Sequence, residues 1–169
     1  MTKFSTSVLG ATLLLAGAAS AHAQESKPVG LSIRAGLFFP ANSDARHSEG
    51  DSWFAGGLEY KLKDVNWKGA GEGYNGHISL SVDTLTKGDF RNIPILANYV
   101  ARHNEWFYTA GIGVSFSSLD GDERTRLGYQ LGFGYDFTQG KTPIFLEAKY
   151  WGASKSEFNG FGIYAGIRL

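Results

Sequence analysis

The run Gly160 to Leu169, GFGIYAGIRL, alternates two kinds of side chain without a break. Phe161, Ile163, Ala165, Ile167 and Leu169 fall on one face, and Gly160, Gly162, Tyr164, Gly166 and Arg168 on the other. Period-two alternation is the signature of a β-strand with two unlike faces. Terminal segments ordinarily fray. A fully patterned strand in such a place is worth ordering when it closes a sheet on itself and removes the open edges.

Seven further segments repeat the pattern, near 29–40, 52–62, 74–84, 92–102, 106–117, 126–137 and 142–151. The sixth is the cleanest: Leu127, Tyr129, Leu131, Phe133, Tyr135 and Phe137 oppose Gly128, Gln130, Gly132, Gly134 and Asp136. Turn residues separate the segments, and 23 glycines are too many for a helical protein. The expectation is all-β: an eight-stranded antiparallel up-and-down transmembrane barrel.

The faces indicate which solvent each meets. A water-facing surface carries many long charged side chains. Here the less apolar face is mostly Gly, Ser, Thr, Asn and Ala with isolated charges, which suits the narrow interior of an eight-stranded barrel. The other face holds large apolar residues and almost no charge, as a lipid-facing wall requires. With strands running up and down, Tyr60, Tyr99, Trp106, Tyr108, Tyr135 and Phe137 gather at one end as an aromatic belt. Phe39, Phe54, Phe116, Tyr150 and Phe161 gather near the other.

Residues 1–23 read as a secretory signal: Lys3, the short apolar stretch Val8–Ala16, and Ala21-His22-Ala23 as a cleavage site. The stretch is too short to span a bilayer as a helix. Residues 24–169 then form the barrel domain. Sixteen basic and sixteen acidic residues leave no basic field for nucleic acid, and the lack of cysteine excludes disulfides and thiolate metal sites. With the N-terminus periplasmic, the outer loops are 41–51, 85–91, 118–125 and 152–159, and the periplasmic turns are 63–73, 103–105 and 138–141. The long turn 63–73 is unusual, and Val65 and Trp67 are candidates to extend the second strand.

Three pieces resemble the eight-stranded bacterial outer-membrane β-barrel superfamily, the group of the OmpA transmembrane barrel and OmpX. They are Ile93-Pro-Ile-Leu-Ala-Asn-Tyr99, the glycine-rich Gly111-Ile-Gly-Val-Ser115, and Gly162-Ile-Tyr-Ala-Gly-Ile-Arg-Leu169. The last resembles the family's assembly signal, carried here by Tyr164, Gly166, Ile167 and Leu169, although most members end in Phe. The resemblance implies recognition by the barrel assembly machinery; outer-membrane lipid and lipopolysaccharide are the other expected partners, and a monomer is expected. The chain stops at the eighth strand, so a wall-anchoring second domain is not expected.

Arg34, Glu59, Lys61, Asp83, Asp136, Glu147, Lys149 and Arg168 fall on the inward face. Unpaired charges there are costly, so a lumen charge network is expected of Arg34, Glu59, Lys61, Asp136, Glu147, Lys149 and Arg168. Glu147 with Arg34, Lys61 or Arg168 is its preferred core. Asp44-Ala-Arg-His47-Ser48-Glu49 holds the side chains of an acyl-transfer triad, but neighbours in sequence do not readily converge. Asp120-Gly-Asp122-Glu123 lacks calcium-loop spacing and reads as a turn. The glycine pairs 111/113 and 132/134 lie within strands, not at phosphate-cradling turns. No catalytic residue, cofactor or metal is assigned. The functional expectation is a packed barrel with a structural or surface-interaction role. A narrow pore or conduit for small hydrophobic molecules is the alternative, and a lipid-modifying enzyme the second. A soluble ligand-carrying barrel is the fallback.

Overall fold

The structure, a computed structural model, describes residues 30–65, 74–88, 90–119, 122–137, 142–154 and 158–169. The expected export signal lies outside them. Eight strands form: β1 (Leu31–Pro40), β2 (Trp53–Asp64), β3 (Tyr74–Lys87), β4 (Phe90–His103), β5 (Trp106–Leu119), β6 (Asp122–Asp136), β7 (Ile144–Ala153) and β8 (Gly160–Arg168). Each pairs antiparallel with its sequence neighbour, and β1 pairs with β8, so the sheet is a closed barrel. Closure supplies hydrogen-bond partners for both edges, which a spanning sheet needs.

The connections differ from expectation in three places. β3 and β4 run to Lys87 and from Phe90, so the loop placed at 85–91 is far tighter. β5 and β6 likewise extend to Leu119 and from Asp122, which puts Asp122 and Glu123 in a strand; residues 120 and 121 lie outside the described residues. Loop 41–51 holds a helix, α1 (Ser43–Glu49). The Asn42 carboxamide caps it by accepting from the Asp44 and Ala45 amides, and Gly50 ends it at φ 89°. A cap and a left-handed stop together are the local signal for this helix. Of the long turn, Val65 continues the pairing by donating to the Gly76 carbonyl at 2.7 Å, and Trp67 lies outside the described residues.

Large apolar side chains point outward on every strand. Ile112, Leu131, Phe161, Leu127 and Leu37 are each more than half exposed. The barrel is therefore apolar outside, the reverse of a soluble fold.

The interior differs from the expected lumen of small residues. Its loop end holds Phe38, Trp53, Phe90, Trp151, Phe158 and Tyr164, all buried. The Trp53 ring lies 5.5 Å from Phe38 and 4.2 Å from Phe90, and Phe90 lies 5.1 Å from Phe158. Ala45 of α1 packs on this cluster, so the helix seats over the plug. Phe90 and Phe158 flank loops, where alternation is hardest to assign, which hid them from a strand-by-strand reading. At the end bearing both described termini, Val100, Phe107 and Phe145 form a smaller buried layer.

The β1–β8 seam depends on Gly36. A Cβ there would lie 1.9 Å from the Ile163 carbonyl oxygen, a backbone atom that cannot move without parting the seam. Gly36→Ala is expected to destabilise the barrel by about 1–3 kcal/mol through overpacking. Urea unfolding of the folded barrel measures it. Gly128→Ala, whose Cβ would sit 3.2 Å from the Ser115 Cβ, is expected to cost less.

Candidate functional site

Between the two apolar layers the lumen is polar, and its centre is Arg34. Register places Arg34 of β1 level with Gly57 of β2, and Gly57 level with Asp83 of β3. A side chain on Gly57 would stand 1.9 Å from the Asp83 carboxylate, so glycine lets residues two strands apart meet. The guanidinium then grips Asp83 with two bonds, Nε to Oδ1 at 2.8 Å and Nη2 to Oδ2 at 2.7 Å. Nη1 donates to Glu59 Oε2 at 2.9 Å and stands 3.7 Å from Glu147 Oε2. Planar two-bond contact is the strong form of arginine–carboxylate pairing.

Glu59 accepts a further bond from the Ser79 hydroxyl at 3.0 Å. Lys149 Nζ lies 3.4 Å from Glu147 and donates to Gln130 Oε1 at 3.2 Å. Gln130 donates to Asn98, which donates to Ser81 at 3.0 Å. The side chains of Arg34, Asp83, Glu147 and Lys149 are at most 2% exposed. Five charges and their polar neighbours thus link β1, β2, β3, β4, β6 and β7 across the barrel. A network of this kind is tolerable in a low-dielectric interior because its members satisfy one another.

The expected charge network divides in two. Arg34, Glu59, Glu147 and Lys149 meet in the centre, together with Asp83. Arg168 does not reach Glu147; it donates to Asp136 Oδ1 at 3.1 Å at the terminal end. There Arg102, which the sequence reading passed over, donates to Asp136 Oδ2 at 2.6 Å. Its inward parity with Asn98 and Val100 was the available signal. The Arg168 guanidinium is held between two rings, 4.5 Å from Phe107 and 4.4 Å from Phe145. Lys61 leaves the network altogether. Register shifts between Lys61 and Lys63, a β-bulge, and Lys61 pairs with Asp64 at 2.7 Å at the solvated rim.

The belt residues Tyr60, Tyr99, Trp106, Tyr108 and Phe137 face outward, and Tyr135 is half-buried between Trp106 at 5.0 Å and Phe137 at 5.2 Å. Tyr74 adds to this end, stacked on His103 at 4.2 Å. At the other end Phe161 packs against Tyr150 at 5.0 Å. Of the expected assembly residues, Tyr164 is wholly buried and accepts from the Trp151 indole at 3.0 Å, while Ile167 faces outward. In α1, the His47 ring hydrogen-bonds through Nδ1 with the Ser43 carbonyl at 2.7 Å, and the Ser48 hydroxyl donates to the Asp44 carbonyl at 3.0 Å. Both bonds run to main-chain carbonyls within α1, and neither joins the histidine to the serine.

No family model matches the chain. No curated protein matches it. Solved structures do match. Neisserial surface protein A (NspA) aligns with a TM-score of 0.54 at 13% identity, covering 85% of this chain and 99% of NspA. The outer membrane enzyme PagL aligns with a TM-score of 0.51 at 14% identity, covering 82% and 99%. The Yersinia pestis outer membrane protein Ail, solved in a phospholipid bilayer nanodisc, aligns with a TM-score of 0.48 at 16% identity, covering 82% and 98%. The chain shares with NspA and PagL the fold of an eight-stranded outer-membrane β-barrel.

Proposed function

We propose that this chain is an integral outer-membrane barrel of a Gram-negative-type bacterium, with a sealed lumen and a structural or surface-interaction role without catalysis. The supporting observation is the inversion of polarity: bulky apolar side chains outside, paired charges within. In water that wall is far larger than the few hundred Å2 of contiguous apolar surface a soluble monomer tolerates. In hydrocarbon it is the favourable arrangement, with outward aromatics at both ends suited to the two interfaces. Outer-membrane lipid and lipopolysaccharide are its surroundings, the barrel assembly machinery is its route there, and it acts as a monomer. The fold shared with Neisserial surface protein A agrees with this reading, and the fold shared with the outer membrane enzyme PagL carries no residue role here.

The aromatic plug, the Arg34 cluster and the Phe107–Phe145 layer stand in series along the lumen, which supports a wall without a conducting path. The test is membrane fractionation with gel mobility before and after boiling. The folded chain is expected in the outer-membrane fraction, migrating faster unboiled, and without steady single-channel steps in planar bilayers. Recovery of a dispersed, folded protein from detergent-free buffer overturns the reading. Steady conductance steps overturn the sealed lumen alone.

A further inference from the structure

The terminal end of the lumen opens into a pocket of about 480 Å3. Its lining includes Lys61, Asn75, His77, Arg102 and Arg168, with one acidic side chain, Asp64. Nearly all of them present hydrogen-bond donors. One donor is buried and idle: Arg168 Nη2 has no hydrogen-bond partner. Such a group costs free energy until an acceptor reaches it.

We propose that this pocket binds a small oxyanion, a phosphate or carboxylate group, on Arg168, Arg102 and Lys61. The nearby carboxylates are already engaged. Asp136 is shared by two guanidiniums, Arg102 and Arg168. Asp64 pairs with Lys61, and the Leu169 carbonyl accepts from the Gly30 amide at 3.0 Å. Asp136 is therefore shared between two fixed cations, and Arg168 Nη2 is left without an acceptor.

The cations differ in how they serve. Arg168 is fixed before any ligand arrives, by Asp136, by its Nη1 bond to the Ser32 hydroxyl at 3.2 Å, and by the rings of Phe107 and Phe145. A donor held in place loses little freedom on binding. Lys61 is the adjustable member. Its partner Asp64 is solvated, and solvated ion pairs are weak, so Lys61 turns to an incoming anion at little cost. Lys61 keeps inward parity, level with Ser79, and the bulge just beyond it sets Asp64 level with His77 at this mouth. The inference rests on the closed barrel and not on the surrounding solvent, so it stands or falls apart from membrane residence.

The test titrates inorganic phosphate, acetate and chloride at matched ionic strength into the full chain folded in zwitterionic micelles, following backbone amide shifts by NMR. Saturable shifts at Gly30, Asn75, Gly76 and Arg168 are expected with an oxyanion and not with chloride. Tighter phosphate binding assigns a phosphate ligand, and tighter acetate binding a carboxylate. Lys61→Met, at an exposed position that leaves the fold intact, is expected to weaken binding about tenfold, the worth of one charge-assisted hydrogen bond. Arg91→Ala, at the opposite rim, is expected to change nothing. Chloride matching the oxyanions, shifts that never saturate, or affinity indifferent to Lys61→Met overturns the proposal.

Discussion

Arg34→Met is expected to cost the barrel about 3–5 kcal/mol, the loss seen when one partner of a buried ion pair is removed. The side chain is 1% exposed and touches three carboxylates. Methionine fills similar space but leaves Asp83, Glu59 and Glu147 facing one another with only Lys149 to balance them. Like charges so placed repel, and their desolvation is no longer compensated. The urea midpoint of the folded form should fall, with the slope unchanged if unfolding stays two-state. A second substitution identifies the cause. Adding Asp83→Asn removes one bare charge, so the double variant should recover part of the loss. A double variant less stable than Arg34→Met would mean that volume, not charge, sets the penalty.

Ile112→Arg addresses the outer wall. Ile112 is 58% exposed, near the middle of β5, level with Ala97 and Tyr129 on the neighbouring strands. In a bilayer, arginine at the midplane of a barrel's lipid face costs about 2–4 kcal/mol. In water the same change replaces an exposed apolar side chain by a solvated charge and should be neutral or helpful. Unfolding in phospholipid vesicles gives the sign directly. Thr125→Arg, on the exposed rim of β6, serves as the reference and should cost about 0–1 kcal/mol, as interfacial positions do. Equal stability of the two variants would contradict a hydrocarbon-facing wall.

The strands were legible because a wall that is apolar all round allows few exceptions. Leu127 through Phe137 alternate without error, and the structure turns them outward in step. Arg34, Glu59, Glu147 and Lys149 were likewise assigned to the interior by parity alone. Parity does not say which inward residues share a level. That Arg34 meets Asp83 through Gly57, and that Arg168 meets Asp136 and Arg102, follows from stagger between strands, which no single segment encodes. Lys61 shows the limit most directly. It keeps inward parity, level with Ser79, but lies near enough to the end of the lumen for its side chain to turn to Asp64 at the solvated rim, a choice that parity does not make. The helix over 43–49 was missed although its signals, Asn42 and Gly50, were present; six polar residues and a single alanine, Ala45, give no apolar face to reveal it.

The sequence by itself determined the kind of sheet, the number of strands and the side of each that carries the bulky apolar residues. Those properties are repeated along the chain and need only neighbouring residues to be read. The tertiary structure alone decided how the lumen is filled: aromatic rings at one end, the Arg34 cluster in the middle, and an idle Arg168 nitrogen at the other end. These are contacts between strands far apart in the chain. Closure of the barrel and the offset of each strand bring them together, and both are set by packing the whole cylinder at once.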